Sequence, residues 1–399
     1  MSYASLLFER FGSCNQLMSR VFGNEQSQLT RQRRDIMLAP RYTDKQLASL
    51  GRCAVTGGCG CTGSILVNAL RESGVASVVA LDVSVPEGED ATCCDITNAD
   101  DAARVLADVD TVFHTVAFVD LRPTADVDFS MKLNVAGTSN VVQALISNGR
   151  PGVATLVNLG TSDVLMGAQL RCEDKTEDEV LTAPPSIYQK TKALAEAVVC
   201  EACRPSGEAE STAGRRALRG VTLRSPAIWG LQDRTYARMA PLPIGIGLPE
   251  ARVDMIYVEN LASALLHAAV RVNESPEEIT GEAFNIRDGV RNMQQLYRVD
   301  IGGSTLGDAP SCLPHAMIGL ARFLDSCAML IHGLSGLQIQ EPTGMTAVAM
   351  FCAWGTHTTN TAKAQRLLGE WPIVPHEVAL ERTRAALGIK SSVADAHVS

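Results

Sequence analysis

Cys53-Ala54-Val55-Thr56-Gly57-Gly58-Cys59-Gly60-Cys61-Thr62-Gly63 is the stretch on which the fold turns. A small apolar run leads into Gly57, Gly60 and Gly63, and an amphipathic segment follows over 64–71, so the pattern predicts strand, tight turn and helix. Glycines are needed at such a turn because its φ angles are unusual and because no Cβ can stand between the backbone amides and a pyrophosphate. The helix behind them offers free N–H groups and a positive dipole end to phosphates.

A glycine triplet is weak evidence by itself, and its surroundings decide. Ala76-Ser77-Val78-Val79-Ala80-Leu81 reads as a second strand ending on Asp82. That acid stands about twenty residues after the turn, where a carboxylate accepts from the adenosine ribose hydroxyls and repels the extra phosphate of NADP, which favours NAD. Cys94-Asp95-Ile96 follows a third short segment and is placed to meet the adenine. Against this stands the plain alternative of a glycine-rich surface turn, which Asp82 disfavours.

Size and charge narrow the classes. The 399 residues suffice for one large domain or two smaller ones. A net charge of −9 argues against a nucleic-acid partner, since a phosphate backbone calls for a basic face. The twelve cysteines are scattered without a regular framework, and neither Cys59/Cys61 nor Cys93/Cys94 has metal-site spacing, so they read as buried thiols of a reducing compartment and no metal is expected. Residues 1–48 read as a partly helical extension with a basic cluster at Arg31, Arg33 and Arg34 and no secretory signal; Glu9, Glu25 and Asp35 weaken a targeting reading.

Downstream, strand and helix patterns alternate. A helix is expected over 97–106 from a capping Thr97, a buried strand over 110–117 ending in Val116 and Ala117, and a helix opening at Asn134 and running to 147. A strand over 154–159 then delivers Gly160-Thr161-Ser162 to its carboxyl end, and 204–219 reads as a polar, solvated loop before a strand at Val221. The alternation predicts an α/β fold, a Rossmann-type doubly wound parallel sheet.

Ser186-Ile187-Tyr188-Gln189-Lys190-Thr191-Lys192 carries the chemistry. Tyr188 and Lys192 are four apart and share one face of a helix. A free phenol titrates near pH 10, and a neighbouring ammonium brings it toward the working range by favouring the phenolate. The same lysine is placed to hold the nicotinamide ribose, and Thr161 to hold a substrate oxygen against Tyr188. A tyrosine and lysine at this spacing are ordinarily a solvated helix face; behind a dinucleotide turn they become an acid–base pair.

In these motifs the chain resembles the extended short-chain dehydrogenases/reductases, and within them the 3β-hydroxysteroid dehydrogenase family. The resemblance spans about 53–387 and rests on Thr56 to Gly63, on Val112-Phe113-His114-Thr115-Val116-Ala117, and on Tyr188 to Lys192 with Ala195-Glu196. It continues in Leu223-Arg224-Ser225-Pro226-Ala227-Ile228-Trp229-Gly230, in Val253-Asp254-Met255-Ile256-Tyr257-Val258-Glu259-Asn260-Leu261, and in 363–372. The chain departs from the family in having Thr161 for serine, Val116 for alanine, Cys61 for a bulky apolar residue, and a shorter span between Gly230 and Val253.

The resemblance implies an NAD-binding core at about 49–230 and 253–270, a smaller C-terminal substrate-binding lobe at about 231–252 and 271–389, and a tail at 390–399. It implies Tyr188, Lys192 and Thr161 as catalytic residues. For the cofactor it implies Gly57, Gly60, Cys61, Gly63, Asp82, Asp95, Ile96, Val116, Ala117, Tyr188, Lys192 and Pro226. The implied activity is NAD-dependent oxidation of a secondary alcohol, the 3β-hydroxyl of a sterol or steroid; a homodimer is an analogy from the wider family. Two alternatives stand beside it. One is a nucleotide-sugar epimerase or dehydratase of the same architecture, although a dehydratase calls for two acids after Thr161 and only Asp163 follows Ser162. The other is a non-catalytic NAD-binding regulatory or scaffold protein, in which loss of the tyrosine or lysine is expected.

Residues 313–337 are strongly apolar but interrupted by Arg322 and Asp325, a poor fit to a spanning helix. A helical projection gathers His315, Arg322, Asp325, Ser326 and His332 on one side, with Met317, Leu320, Phe323, Leu324, Met329, Leu330 and Ile331 on the others. Such a helix lies in a membrane interface, roofs an apolar pocket, or packs on its own domain. The expected location is intracellular, either cytoplasmic or peripherally bound to a membrane such as the endoplasmic reticulum.

Overall fold

A computed structural model describes residues 42–203, 216–231, 250–293, 295–302, 314–335, 347, 355–371 and 373–389. Twelve strands are described: β1 (Arg52–Thr56), β2 (Ser77–Asp82), β3 (Ala91–Cys93), β4 (Thr111–His114), β5 (Val153–Thr161), β6 (Arg171–Lys175), β7 (Ala217–Ser225), β8 (Ala227–Trp229), β9 (Val253–Tyr257), β10 (Glu282–Asn285), β11 (Gly289–Arg291) and β12 (Thr356–Thr359). Seven of them form one sheet in the order β10-β7-β5-β4-β1-β2-β3, with every pair parallel. The order reverses at β1, so a crevice opens between the carboxyl ends of β1 and β4, where doubly wound sheets take their ligands.

Side-chain alternation along β1 explains the two helical layers. Cys53 and Val55 point into a core shared with the helices Cys61–Glu72 and Val258–Glu274, while Ala54 points into a second core with Ala99–Leu106, Gly137–Ser147 and the end of Ile187–Cys203. The helix Val258–Glu274 is buried on nearly all sides, from Val258 to Val272. A smaller sheet, β11-β9-β12-β6 with β8 beside β9, stands next to the first; β11 runs antiparallel to β9 and the other pairs are parallel.

The division between the two sheets falls elsewhere than the sequence suggests. β10 lies in the segment assigned to the C-terminal lobe, yet it pairs with β7 as the last strand of the first sheet. β6, β8 and β9 lie in segments assigned to the core and join the second sheet. After β5 the chain passes repeatedly between the two sheets, and one apolar core, with Val55, Leu223, Trp229, Met255 and Tyr257 together, continues beneath both. The N-terminal boundary also moves. Residues 1–41 and 390–399 lie outside the described residues, but Thr43 caps the helix Asp44–Ala48 and Tyr42 Oη meets His267 Nδ1 at 2.9 Å, so 42–48 is docked on the domain.

Three local expectations need correction. The helix before β4 is capped by Asn98, whose side chain accepts from the amides of Asp100 and Asp101, while Thr97 turns back to Asp95. The helix expected from Asn134 starts at Val127, capped by Asp126, and passes through a π-helical turn, Met131–Ala136, before Gly137–Ser147. The loop expected over 204–219 ends early: β7 begins at Ala217, and the buried Arg216 donates to Val109 O, Val153 O and Asp110. Residues 204–215 lie outside the described residues.

His114, at the end of β4, ties both layers to the switch point. Its Nδ1 lies 2.8 Å from Thr56 Oγ1 on β1 and its Nε2 2.9 Å from Thr138 Oγ1. Thr138 spends its hydrogen on Asn134 O, so it accepts from Nε2–H, and the ring is neutral with Nδ1 accepting from Thr56. Burial, and next the charge of Lys192, push this imidazole down to about 3. Above pH of about 6.5 the ring is neutral folded or unfolded; below it the unfolded chain takes a proton the fold refuses, so stability falls as pH drops toward about 3. Thermal unfolding followed between these limits is expected to lose less on acidification in His114→Gln than in the unsubstituted protein. At neutral pH the variant gives up about 1 kcal/mol for a lost hydrogen bond; an unchanged slope in acid would remove His114 from the account.

Candidate active site

The turn after β1 is packed to the limit. A Cβ on Gly63 would lie 2.0 Å from Gly57 O, one on Gly58 2.8 Å from Ala80 Cβ, and one on Gly57 3.0 Å from the Val116 backbone; Gly57 also holds φ +71°. Gly60 caps the helix Cys61–Glu72 without any side-chain bond, so its first amides face the crevice unclaimed by a cap.

Five expected cofactor residues, Gly57, Asp82, Asp95, Ile96 and Val116, line one cleft with Leu81, Val83, Cys94, Thr97, Phe129 and Leu133. Gly60, Cys61 and Gly63 are not among its lining residues but belong to the same turn and the start of the helix behind it, and Ala117 follows Val116 beyond the end of β4. Asp82 accepts from Cys59 N at 3.1 Å and Ser84 N at 3.2 Å. Burial raises its carboxyl above the ordinary value while those amides hold it down. Asp95 accepts from the amide and hydroxyl of Thr97, which also lines the cleft.

The cysteines differ from the expectation of uniform burial. Cys53, Cys94, Cys172 and Cys203 are buried, whereas Cys59, Cys61, Cys200 and Cys327 are half-buried and Cys93 is exposed. All nine are free. Cys61 Sγ lies 3.7 Å from Leu231 O, joining the turn to the chain after β8. Burial, then Asp82 and Glu89, push the Cys59 thiol up to about 11, so it is a poor nucleophile despite its place.

Further along the same edge, β5 is longer than its apolar run and carries Gly160 and Thr161 as strand residues. Thr161 Oγ1 accepts from Asp163 N and caps a 3₁₀ turn, Ser162–Leu165. Tyr188 and Lys192 stand one turn apart in the helix Ile187–Cys203, and with Thr161 all three are less than a tenth exposed. Gln189 donates from Nε2 to Asp163 O and Met166 O, which locks that helix against the turn after Thr161. Lys192 Nζ donates to Leu159 O at 2.7 Å on β5. Burial pulls its ammonium down to about 8, opposed by Glu196 one turn on. Pro226 follows β7, whose Ser225 is in register with Thr161, so it leaves the sheet beside the Thr161 strand end.

The supporting groups were not assigned roles in the sequence. Glu196 forms a buried two-point ion pair with Arg224, through Nε at 2.8 Å and Nη2 at 2.5 Å, and Arg224 also donates to Glu177 O. Removing one partner of such a pair costs about 3–5 kcal/mol, because the other charge stays buried. Asn134 accepts from Phe118 N and donates to Phe118 O and Thr191 Oγ1, while Thr191 donates to Tyr188 O. The loop after β4 is thereby wired to the Tyr188 helix. Asn134 looked like an ordinary helix-opening residue; only its side chain's three bonds reveal the tie.

A sequence model of the 3-beta hydroxysteroid dehydrogenase/isomerase family matches residues 54–298. The chain is 31% identical over 353 residues to a 3-beta-hydroxysteroid dehydrogenase of Mycolicibacterium neoaurum, covering 83% of this chain and 90% of that one. It is 26% identical over 359 residues to a decarboxylating sterol-4-alpha-carboxylate 3-dehydrogenase of Mus musculus, covering 86% and 92%. Among solved structures it is similar to MoeE5 in complex with UDP-glucose and NAD, with a TM-score of 0.56 and 21% identity over 84% of this chain and 98% of that one, a likeness of fold. By the family match over more than half of its length and by that 31% identity, the chain belongs to the 3-beta hydroxysteroid dehydrogenase/isomerase family.

Proposed function

We propose that this chain is an NAD-dependent oxidoreductase acting on a CH–OH group, the 3β-hydroxyl of a sterol or steroid, with Tyr188 as acid and base. The observation that carries the reading is Lys192: a buried ammonium tied to β5 beside the Thr161 strand end and one helical turn from Tyr188, on the same sheet edge as the glycine turn. The turn fits NAD because its glycines let the helix Cys61–Glu72 close on the sheet with its first turn uncapped by any side chain, and because Asp82 disfavours a second phosphate on the ribose. NAD held there supplies the acceptor for the hydride of the carbinol carbon.

Tyr188 takes the hydroxyl proton, its phenolate favoured by the Lys192 charge. Glu196, itself held by Arg224, sustains that charge against the cost of burial. Thr161 holds the substrate oxygen against Tyr188. The relatives named for steroid and sterol dehydrogenation support this substrate class; the fold alone suits the nucleotide-sugar alternative equally.

The exposed face of the helix Pro314–Ser335 fits an apolar substrate drawn from a lipid phase. Ile318, Ala321 and Ala328 are buried, while Leu320, Phe323, Leu324, Met329, Leu330, Ile331 and Leu334 are each more than two-fifths exposed. Apart from Ile318, these large apolar side chains face outward, which, of the readings open in the sequence, favours a membrane interface over packing on the domain itself. No helix among the described residues is long and apolar enough to cross a membrane, so the contact we assign to this face is interfacial.

Three outcomes test these assignments. Tyr188→Phe is expected to lower kcat for a 3β-hydroxysteroid about a hundred- to ten-thousandfold with NAD affinity kept; unimpaired turnover, or turnover of UDP-glucose in place of the steroid, would sink the reading. Asp82→Ser is expected to weaken NAD about tenfold in equilibrium titration, the size of one lost charged hydrogen bond, and to admit NADP. In sedimentation with phosphatidylcholine vesicles the protein should pellet, and a Phe323→Glu/Leu330→Glu double variant should stay in the supernatant; equal partitioning of the two would withdraw the lipid contact.

A further inference from the structure

Thr161 and Tyr188 must both reach one substrate oxygen, yet the chain between them leaves the site. It passes through the 3₁₀ turn Ser162–Leu165, crosses to the second sheet as β6, and returns to open the helix Ile187–Cys203. Gln189, the residue after Tyr188, closes that gap. Its Nε2 donates to Asp163 O at 2.8 Å and to Met166 O at 2.9 Å, and its Oε1 accepts from Ser186 Oγ at 2.8 Å. Two carbonyl oxygens can only accept, so the amide has one orientation here and both its hydrogens are used. The Asp163 amide donates in turn to Thr161 Oγ1 at 3.2 Å. A continuous set of hydrogen bonds thus runs from the Thr161 hydroxyl to the first turn of the Tyr188 helix, and Gln189, Ser186 and Met166 are all buried.

We propose, resting on the dehydrogenase reading above, that Gln189 is a positioning residue that fixes the spacing between the Thr161 hydroxyl and the Tyr188 phenol. Lys192 Nζ also ties the helix to β5, at Leu159 O, but its four-carbon stem is flexible and sets that distance loosely. A short planar amide held by three bonds in a packed interior has no such freedom. Val164, Leu165 and Met166 pack with Cys172 in a small cluster apart from the two large cores, so the turn depends on its hydrogen bonds for its place. Spacing matters because one oxygen is shared between the two hydroxyls as the proton leaves it. A displacement of about 1 Å costs roughly a hundredfold in rate. The cleft lined by Gly57, Asp82 and Asp95 does not include Gln189, so the rate depends on this residue and coenzyme affinity does not.

The chemistry of the amide supplies a diagnostic. Methionine has nearly the same length and shape but no hydrogen to give. In Gln189→Glu the ionised side chain turns its oxygens on carbonyl oxygens that repel them; protonated, it has one hydrogen and restores one of the two bonds. A buried carboxyl takes up its proton well above the ordinary value of about 4.3. The elements that meet here bring Asp163, Cys172, Tyr188, Lys190 and Lys192, which are common to the variant and the unsubstituted protein and divide out of a ratio of their rates.

The test is steady-state oxidation of a 3β-hydroxysteroid by NAD, beside equilibrium titration of NAD. Gln189→Met is expected to lower kcat about a hundredfold with the KM for the steroid and the NAD dissociation constant kept. In Gln189→Glu the ratio of kcat to that of the unsubstituted protein is expected to rise roughly tenfold as pH is lowered from about 8 to about 5, the size of one regained hydrogen bond. Lost packing alone gives no recovery in acid, and this variant serves if the methionine variant does not fold. Unimpaired kcat in Gln189→Met, a loss of NAD affinity as large as the loss of rate, or a ratio for Gln189→Glu that stays flat with pH would overturn the proposal while leaving the steroid reading intact. Absence of steroid oxidation by the unsubstituted protein would overturn that reading and this inference with it.

Discussion

The lack of a Cβ at Gly57, Gly58 and Gly63, where β1 turns into the helix Cys61–Glu72, is the constraint on which the rest depends. With Gly63 able to bear no Cβ against Gly57 O, and Gly57 pressed on Val116, the helix can approach the sheet in one way only. That approach aims its uncapped amides into the crevice at β1 and β4. It also fixes the distance from the turn to β2, so that Asp82 closes on Cys59 N. A methyl group here would not merely block a ligand; it would separate helix from sheet, at a cost of about 1–3 kcal/mol for overpacking.

The second half of the site uses charge where the first uses space. Lys192, Glu196 and Arg224 are all buried, a costly set that holds because each has a fixed partner: Leu159 O for the lysine, and the two-point contact between the other two. Held on a helix and two strands, these groups have little freedom to relax. The Phe118–Asn134–Thr191 chain extends the same rigidity to the loop after β4. Pre-organisation of this kind is what acid–base chemistry on a bound alcohol demands.

The two sheets are not two independent bodies of core. Apolar side chains from β1, β7 and β9 meet around the helix Val258–Glu274, and β10 returns to the first sheet after the chain has built part of the second. A boundary drawn by sequence position alone misplaces these strands because pairing follows the path of the chain in space. The helix Pro314–Ser335 repeats the lesson: Ile318, Ala321 and Ala328 face inward while Leu320, Phe323, Leu330 and Leu334 face outward, an orientation that a helical projection leaves open.

Local periodicity was enough for the strand–turn–helix at Thr56 to Gly63, the acid ending β2, and the shared face of Tyr188 and Lys192, because each depends on spacing within one element. Caps were less legible: Thr97 and Asn98 are both good cap residues, and the choice between them fell to Asp95, which engages Thr97. Arg216 read as loop because it is charged, yet it is buried against acceptors from segments more than sixty residues away. The chain by itself therefore determined the layered parallel fold and the types of residue at its working edge, since these follow from period and backbone sterics. The tertiary structure alone decided which groups meet there, among them Lys192 with Leu159, Asn134 with Thr191 and Arg224 with Glu196, because burial and hydrogen-bond partners are properties of neighbours distant in sequence.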